Sequence, residues 1–426
     1  MKKTVRVQGR EEARTRVSVQ IPYPLLTCLR SAEDDFLSLC VETGRQVLAA
    51  MMEGERTELC GPKWQPNPER TAIRSGTMAS EVTLGGRRIP LRRLRARSVD
   101  GHELVLPSFA FAASRDPLDR QTLAAVSRGV STRGYADVLE APPESEPERS
   151  ISHSAVSRRF VALSTEQLRK LLARPLAGLE LRVVMIDGII FADHAVVIAL
   201  GITADGRKHV LAVREGATEN AAVAKALLED LIERGLATDQ ALLFVIDGSK
   251  ALRKAIREIF GESVLVQRCQ VHKERNVLDH LQEAKRARVR RTLRNAWGLG
   301  DARPAEKRLR TLATSFEVEH PGAAESLREG LVETLTCQRL GVTGALCRTL
   351  RSTNPIENLN DGVARYTRNV KHWQGGAMIL RWVGAAVLWT ERGFRRLRGH
   401  RAMGDLLTAL NRALNQKNID KQSKAA

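Results

Sequence analysis

Residues 181–190 read LRVVMIDGII, and the same design returns sixty residues further on in ALLFVIDGSK, residues 241–250. Each is a short apolar run that reaches one aspartate, Asp187 or Asp247, followed at once by a glycine. An apolar run of this length bounded by turn residues reads as a buried strand of a parallel or mixed sheet. A carboxylate at the mouth of such a strand is costly unless something positive meets it. Two of them, delivered by two similar strands, point to one shared site. An Asp-Gly pair after a strand is most often only a turn, so the weight lies on the repetition and on what surrounds it.

The surroundings alternate in a readable order. HAVVIALGI and KHVLAVREG read as strands joined by the turn Thr203-Ala204-Asp205-Gly206, and NAAVAKALLEDLIERG reads as a helix closed by Gly235. The second acid-bearing strand follows, then a helix, KALRKAIREIFG, and a strand, SVLVQRC. Strand–strand–strand–helix–strand–helix–strand is a mixed α/β plan. Ligands of such sheets sit outside the carboxyl ends of neighbouring strands, where Asp187 and Asp247 would meet if their strands pair. Residues 281–350 read as an all-helical insertion that opens on KRARVRRTLRNAW. Residues 273–310 hold twelve Lys/Arg against five Asp/Glu, a local excess of seven. Trp297, near a Gly-rich break, reads as core, with a DNA wedge or stacking residue as the alternative. Two helices close the chain, PIENLNDGVARYTRN and AMILRWVGAAVLWTERGFRRLRG, before a polar tail, LNQKNIDKQSKAA, expected to fray.

Upstream, residues 1–60 give a helical pattern with Leu37, Cys40, Val41, Val47 and Leu48 on one face. Residues 81–107 change character: Gly85-Gly86 and Asp100-Gly101 punctuate alternating strands as hairpin turns do. Between them Arg87, Arg88, Arg92, Arg93, Arg95 and Arg97 stand against one acid, Glu81, which reads as a solvated basic face or a phosphate contact. From Ser131 to Arg174 the pattern is helical again, with Ser152 or Ser154 as N-cap. Two helices there could form a helix-turn-helix, presenting Ser154, Ser157, Arg158 and Arg159 to a major groove. The long acidic, Pro-rich connector at 141–150 departs from such a motif, and a plain helical linker is the other reading.

Composition narrows the partner. Lysine and arginine exceed aspartate and glutamate by 19, and the pI is about 10.2, which points to a polyanion. No run is apolar enough for a membrane span or a signal peptide, which favours cytoplasmic nucleic acid over a membrane surface. Six scattered cysteines without a CxxC pair support neither a disulfide framework nor a zinc ribbon. An aromatic content of 4% argues against single-strand binding by base stacking. A metabolic α/β enzyme would need a Gly-rich phosphate loop after a strand, and none is present.

A third acid, Glu357, lies in RSTNPIENLN. It also has an ordinary explanation, since Asn354 could cap a helix, Pro355 begin it and Glu357 complete a capping box. Cys269 and His272, at i and i+3 after a strand, could be packing alone. Together, VVMIDG, FVIDG, VQRCQVHKERN and RSTNPIENLN resemble the bacterial Mutator-type insertion-sequence transposases over about residues 70–400. The strongest parts are the C-x-x-H-x-x-R-N string (Cys269, His272, Arg275, Asn276) and the T-N-P-I-E string from Thr353 to Glu357.

The resemblance implies a ribonuclease-H-like catalytic domain whose metal-binding Asp/Asp/Glu triad falls on Asp187, Asp247 and Glu357, with a helical insertion between the second Asp and the Glu. Two Mg²⁺ ions, replaceable by Mn²⁺, would activate the attacking oxygen and stabilise the leaving one. Asp187 would bridge them, and Asp247 and Glu357 would each hold one. Water would free a 3′-OH at the transposon end, and that 3′-OH would attack target DNA. Cys269, His272, Arg275, Asn276 and Asn354 would then have structural or DNA-positioning roles. The basic strands, the Ser157–Arg159 helix and Arg286, Arg288, Arg290 and Arg291 would contact DNA. The expected organisation is a helical region at 1–80, a basic β region at 81–110 and a helical DNA-binding region at 111–180. A catalytic core follows at 181–280 and 351–402, interrupted by the insertion at 281–350, with a helix and tail at 403–426. The partners would be terminal inverted repeats and target DNA, held by at least a dimer in the bacterial cytoplasm at the nucleoid. The rivals are an inactive DNA-binding relic and a structure-selective nuclease of the same fold.

Overall fold

The computed structural model describes residues 34–65, 68, 70–84, 87–114, 119–139, 152–216 and 221–425. The chain divides into two compact units, Met1–Leu163 and Ser164–Ala426.

The first unit opens on helix α1 (Asp34–Cys60), followed by strands β1 (Ala72–Leu84), β2 (Arg87–Ser98) and β3 (Glu103–Leu104) in an antiparallel sheet of that order. Met52 and Cys60 of α1 pack with Ala72, Ala96, Leu106 and Phe109. The sheet starts nine residues before the boundary expected at 81. Residues 71–80 conceal their strand because the register breaks between Arg74 and Thr77, around Gly76 at φ 74°, which disrupts the alternation. The Asp100-Gly101 turn is present, with Gly101 N–H donating to the Ser98 carbonyl at 2.9 Å; Gly85-Gly86 lies outside the described residues. Helices α2 (Pro107–Ser114) and α3 (Asp119–Ser127) follow. Of the two helices expected from Ser131 onward, residues 131–139 supply only a 3-10 turn, Ala136–Val138, and the connector at 141–150 lies outside the described residues. The second is α4 (His153–Leu172), capped by Ser152, whose carbonyl accepts the Ala155 and Val156 N–H groups at 2.8 and 3.0 Å.

The second unit holds a five-stranded sheet: β4 (Leu181–Phe191), β5 (His194–Thr203), β6 (Lys208–Gly216), β7 (Leu243–Ile246) and β8 (Leu265–Arg268). Their order is β6-β5-β4-β7-β8, with the first two pairings antiparallel and the last two parallel. This is the mixed α/β plan expected from the sequence. Between the strands lie α5 (Ala221–Glu233) and α6 (Lys250–Phe260). Gly235, at φ 102°, closes α5 through Leu236 N–H to the Leu231 carbonyl, 2.9 Å.

Because side chains alternate along a strand, each central strand feeds two cores. Val184 and Ile186 pack with Leu227, Leu231 and Ile256 of α5 and α6 on one face. Val183 and Met185 pack on the other face with Leu171 of the same unit and with the three helices that close the chain. The intervening helices are α7 (Gln270–Asp279), α8 (Glu283–Trp297), α9 (Ala302–Ser315), α10 (Pro321–Arg328), α11 (Thr336–Arg339) and α12 (Gly344–Leu350). The closing three are α13 (Asn354–Thr367), α14 (Gly376–Glu391) and α15 (Met403–Ala425).

The stretch expected as a helical insertion is helical, and a core of its own runs from Val277 to Leu335. Cys337, Leu346, Cys347 and Leu350 pack instead into the main core, so this separate helical core stops about fifteen residues short of position 350. Trp297 is core: it is 4% exposed, and its indole N–H donates to Thr334 Oγ1 at 3.2 Å. The tail expected to fray is helical as far as Ala425.

Candidate metal and acid cluster

Register, not proximity in sequence, assembles the site. The β4–β7 pairing runs from Val183↔Leu243 to Ile186↔Ile246, so Asp187 and Asp247 are the next residues in step. The β7–β8 pairing ends at Ile246↔Arg268, which puts Cys269 in the same row, its N–H donating to the Ile246 carbonyl at 2.8 Å. Asp187 shares the parity of Val183 and Met185, and Asp247 that of Leu243 and Val245. Both therefore belong to the face covered by α13.

The two Asp-Gly pairs differ. β4 continues to Phe191, and Asp187 still pairs with Ile198 of β5; what ends at Asp187 is the β7 side of the ladder. Gly188 is therefore no turn, contrary to its expected place at the end of the strand. The Asp247-Gly248 pair does turn, with Gly248 at φ 118°. A Cβ on Gly248 would run into the Arg268 guanidinium. Arg268 is buried under this loop and donates to the Glu329 carboxylate at 3.1 Å.

Helix α13 brings the third acid. The chain caps it with Thr353, not Asn354: the Ile356 and Glu357 N–H groups donate to the Thr353 carbonyl, each at 2.9 Å. The Thr353 side chain leaves the backbone alone and donates instead to Glu357 Oε1 at 2.6 Å. The capping-box explanation of Glu357 thus gives way to a hydroxyl that fixes its carboxylate. One turn on, Asn360 donates its amide to Asp187 Oδ2 at 2.7 Å. Asp247 accepts the Ser249 N–H at 2.8 Å. Each of the three carboxylates rests on a neutral donor.

The cluster is short of positive charge. Burial first, and then the neighbouring charge of Asp247, push the Asp187 carboxyl up to about 7, against lowering by His272 and the Gly188 N–H. Glu357 adds a smaller push in the same upward direction. His272 is drawn above its ordinary value by Cys269, against the effect of burial, and Glu357 and Asp247 also favour its charged form. Burial would raise the Cys269 thiol, but His272 and Thr353 outweigh it and hold the thiol below its usual value.

Among the described residues, Cys269, His272 and Glu357 bring ligand atoms within 4.8 Å of one another, and His272 Nδ1 stands 3.8 Å from Glu357 Oε1. The carboxylates of Asp187, Asp247 and Glu357 are hard oxygen donors of the kind divalent magnesium takes. An Asp187 carboxyl held up by burial first and then by the neighbouring charge of Asp247 is what a cation would relieve, so the donor set fits such an ion.

The remaining candidates scatter. Arg275 and Asn276 are exposed one turn beyond His272, and Asn354 is exposed at the head of α13. In the first unit Arg93 and Arg95 are both paired with Glu103, an acid the reading of 81–107 left out, and Arg88 lies 3.6 Å from Glu81. Arg92 and Arg97 are exposed, as are Ser157 and Arg158 on α4. On α8, Arg290 reaches Glu274 of α7 at 3.2 Å and Arg286 reaches Glu283 at 3.1 Å, while Arg288 and Arg291 are exposed. Sequence reasoning named Thr353 within the T-N-P-I-E string but gave it no role, and it missed Asn360. Their signal was the helical spacing about Glu357, four residues before it and three after, which places both on its side of the helix.

The family model for transposases of the Mutator family matches residues 25–395. The transposase for insertion sequence element ISRM5 of Rhizobium meliloti is 29% identical over 380 residues, 88% of this chain and 93% of that protein. The transposase for IS406 of Burkholderia multivorans is 34% identical over 267 residues, 61% of this chain and 66% of that one. The transposase for IS256 in transposon Tn4001 of Staphylococcus aureus is 26% identical over 373 residues, covering 84% and 90%.

Proposed function

The chain belongs to the Mutator family of transposases, and from that premise we propose that it cuts the ends of an insertion sequence and joins them to target DNA with a ribonuclease-H-like Asp/Asp/Glu site. The observation that carries the reading is the row of Asp187 and Asp247 on paired strands, covered by the helix that bears Glu357. The order β6-β5-β4-β7-β8, three antiparallel strands continued by two parallel ones, supports the ribonuclease-H-like assignment.

Asp187, Asp247 and Glu357 would hold two Mg²⁺ ions, or Mn²⁺ in their place. Bound there, divalent cations supply an activated attacking oxygen and a stabilised leaving oxygen for phosphodiester hydrolysis and transesterification. The chain's own groups set the geometry. Asn360 orients Asp187, Thr353 orients Glu357, and the Ser249 N–H orients Asp247. His272, drawn toward its charged form, balances the acids from the side. Cys269, whose sulfur accepts from the Thr353 N–H at 3.4 Å, is a packing and positioning residue.

Exposed cations on β2, α4 and α8 would hold DNA, whose substrates are the terminal inverted repeats and the target. Synapsis of two ends calls for at least a dimer, working at the nucleoid of a bacterial cytoplasm. No described helix is long and apolar enough to cross a membrane.

The test is cleavage and joining of labelled DNA carrying the element's ends, with Mg²⁺ and with EDTA. Metal-dependent nicking followed by joining is expected. Nicking without joining would mark a nuclease, and binding without chemistry under any metal would mark a DNA-binding relic.

A further inference from the structure

We propose that a basic groove alongside α13, beside the acid cluster but separate from it, holds the sugar–phosphate backbone of the duplex DNA on which the site acts. This rests on the transposase reading above. Three cavities of about 580, 690 and 450 Å³ share Lys208 as a lining residue. One wall is a stripe of α13: Asn354, Asn358, Gly362 and Arg365, spaced four, four and three residues apart. Glu357 and Asn360 lie on the adjoining side of the same helix, so the groove passes the catalytic helix without entering the cluster. The other wall is the segment that follows α14, carrying Arg392, Phe394, Arg395, Arg396 and Arg398.

Charge separates this groove from an ordinary solvated face. The acid among the lining residues is Glu391, and it is already committed to Arg174, at 3.1 Å through each oxygen, and to the Val210 N–H at 2.8 Å. Lys208, Arg348, Arg365, Arg392, Arg395 and Arg398 have no carboxylate partner among the described residues. Two of these cations are instead held by rings: Lys208 Nζ lies 4.8 Å from the Phe394 centroid, and Arg392 Cζ lies 4.8 Å from that of Trp389. A ring fixes a cation without cancelling its charge. The result is a preorganised positive surface with Asn354 and Asn358 as neutral donors. It suits a regularly spaced polyanion, and phosphate contacts of this kind position DNA without reading sequence.

The experiment uses the full chain and two labelled duplexes of equal length, one with the element's ends and one unrelated. Affinity is measured between about 0.05 and 0.2 M salt. The groove variant is Arg365→Gln/Arg392→Gln/Arg395→Gln, all exposed positions. The control is Arg303→Gln/Lys307→Gln/Arg308→Gln, an equal charge loss on the exposed face of α9. Each lost phosphate contact lowers the slope of log affinity against log salt by about 0.9, so the groove variant should lose roughly 2 to 3 in slope. It should lose at least about tenfold in affinity near 0.15 M salt, equally on both duplexes. The control should lose less than about one unit of slope. The single variant Arg365→Gln should lose about one.

A groove variant whose slope matches the control overturns the proposal. So does a loss confined to the end-bearing duplex, because the groove would then read bases. If wild-type protein cuts and joins DNA while the groove variant keeps its slope, the groove alone fails. If wild-type protein neither binds nor cuts, the transposase reading fails with it.

Discussion

Replacing Asp187 by Asn in protein stripped of metal should stabilise the fold, and the gain should depend on pH in a defined way. The folded carboxyl is pushed up from 3.8 to about 7, by burial first and then by repulsion from Asp247. A folded-state value raised above the unfolded one means that ionising Asp187 costs the fold free energy. The cost is absent below about pH 4, grows as the pH rises from about 4 to about 7, and is constant above that. At about 1.4 kcal/mol per pH unit it reaches roughly 4 kcal/mol at pH 8 and roughly 1.5 kcal/mol at pH 5. Asn has the same shape and no charge, and its amide oxygen can still accept the hydrogen bond that Asn360 gives Asp187 Oδ2. For a unit of this size, about 2–4 °C accompanies each kcal/mol, so the variant should melt about 10 °C above wild type at pH 8. The difference should shrink to a few degrees at pH 5 and vanish near pH 4. Thermal unfolding in EDTA across that range is the assay. Adding Mg²⁺ should raise the wild-type midpoint and leave the variant nearly where it was, since ligand binding stabilises only a fold that binds it. A variant less stable than wild type at pH 8, or a gap that does not change with pH, would refute the electrostatic argument.

Three further outcomes follow from the contacts around the cluster. Asn360→Ala removes the donor that orients Asp187 and should slow metal-dependent cleavage about 10- to 100-fold with DNA affinity intact; an unchanged single-turnover rate would count against it. Thr353→Val takes the hydroxyl from Glu357 and should give a loss of similar size, about 10- to 100-fold, with Thr353→Ser restoring most of the rate. Gly248→Ala forces a side chain into a positive-φ loop against Arg268 and should cost about 1–3 kcal/mol in denaturant unfolding, whereas no shift would mean the loop yields easily.

Much of the second unit was legible because its apolar strands are nearly continuous and end on marked residues. LRVVMIDG and LLFVIDG fall in step in the parallel β4–β7 ladder, and a matching parity puts both aspartates on one face. The strand and helix order from Leu181 to Arg268 follows from the same patterning. What sequence could not supply is contact. Nothing local says that Thr353 serves a side chain and not the helix backbone, or that Asn360 reaches across to a strand 173 residues away. Strand β1 was hidden by small polar residues and a register break at Gly76. Sequence pattern also does not separate α12 from the helices before it, since α12 is helical like them yet buries Leu346 and Leu350 in the main core. The basic face at 81–107 looked freer than it is, since Glu103 lies just past the counted arginines and takes two of them.

The most direct test of the central claim replaces Mg²⁺ with Fe²⁺ and lets peroxide-generated hydroxyl radicals cut the polypeptide beside the bound ion, with the fragments mapped by mass spectrometry. Cuts at residues next to Asp187, Asp247 and Glu357 together, lost in Asp187→Asn and competed away by Mg²⁺, are the expected result. Cuts confined to Cys269 and His272, or unaffected by Asp187→Asn, would contradict the three-acid site.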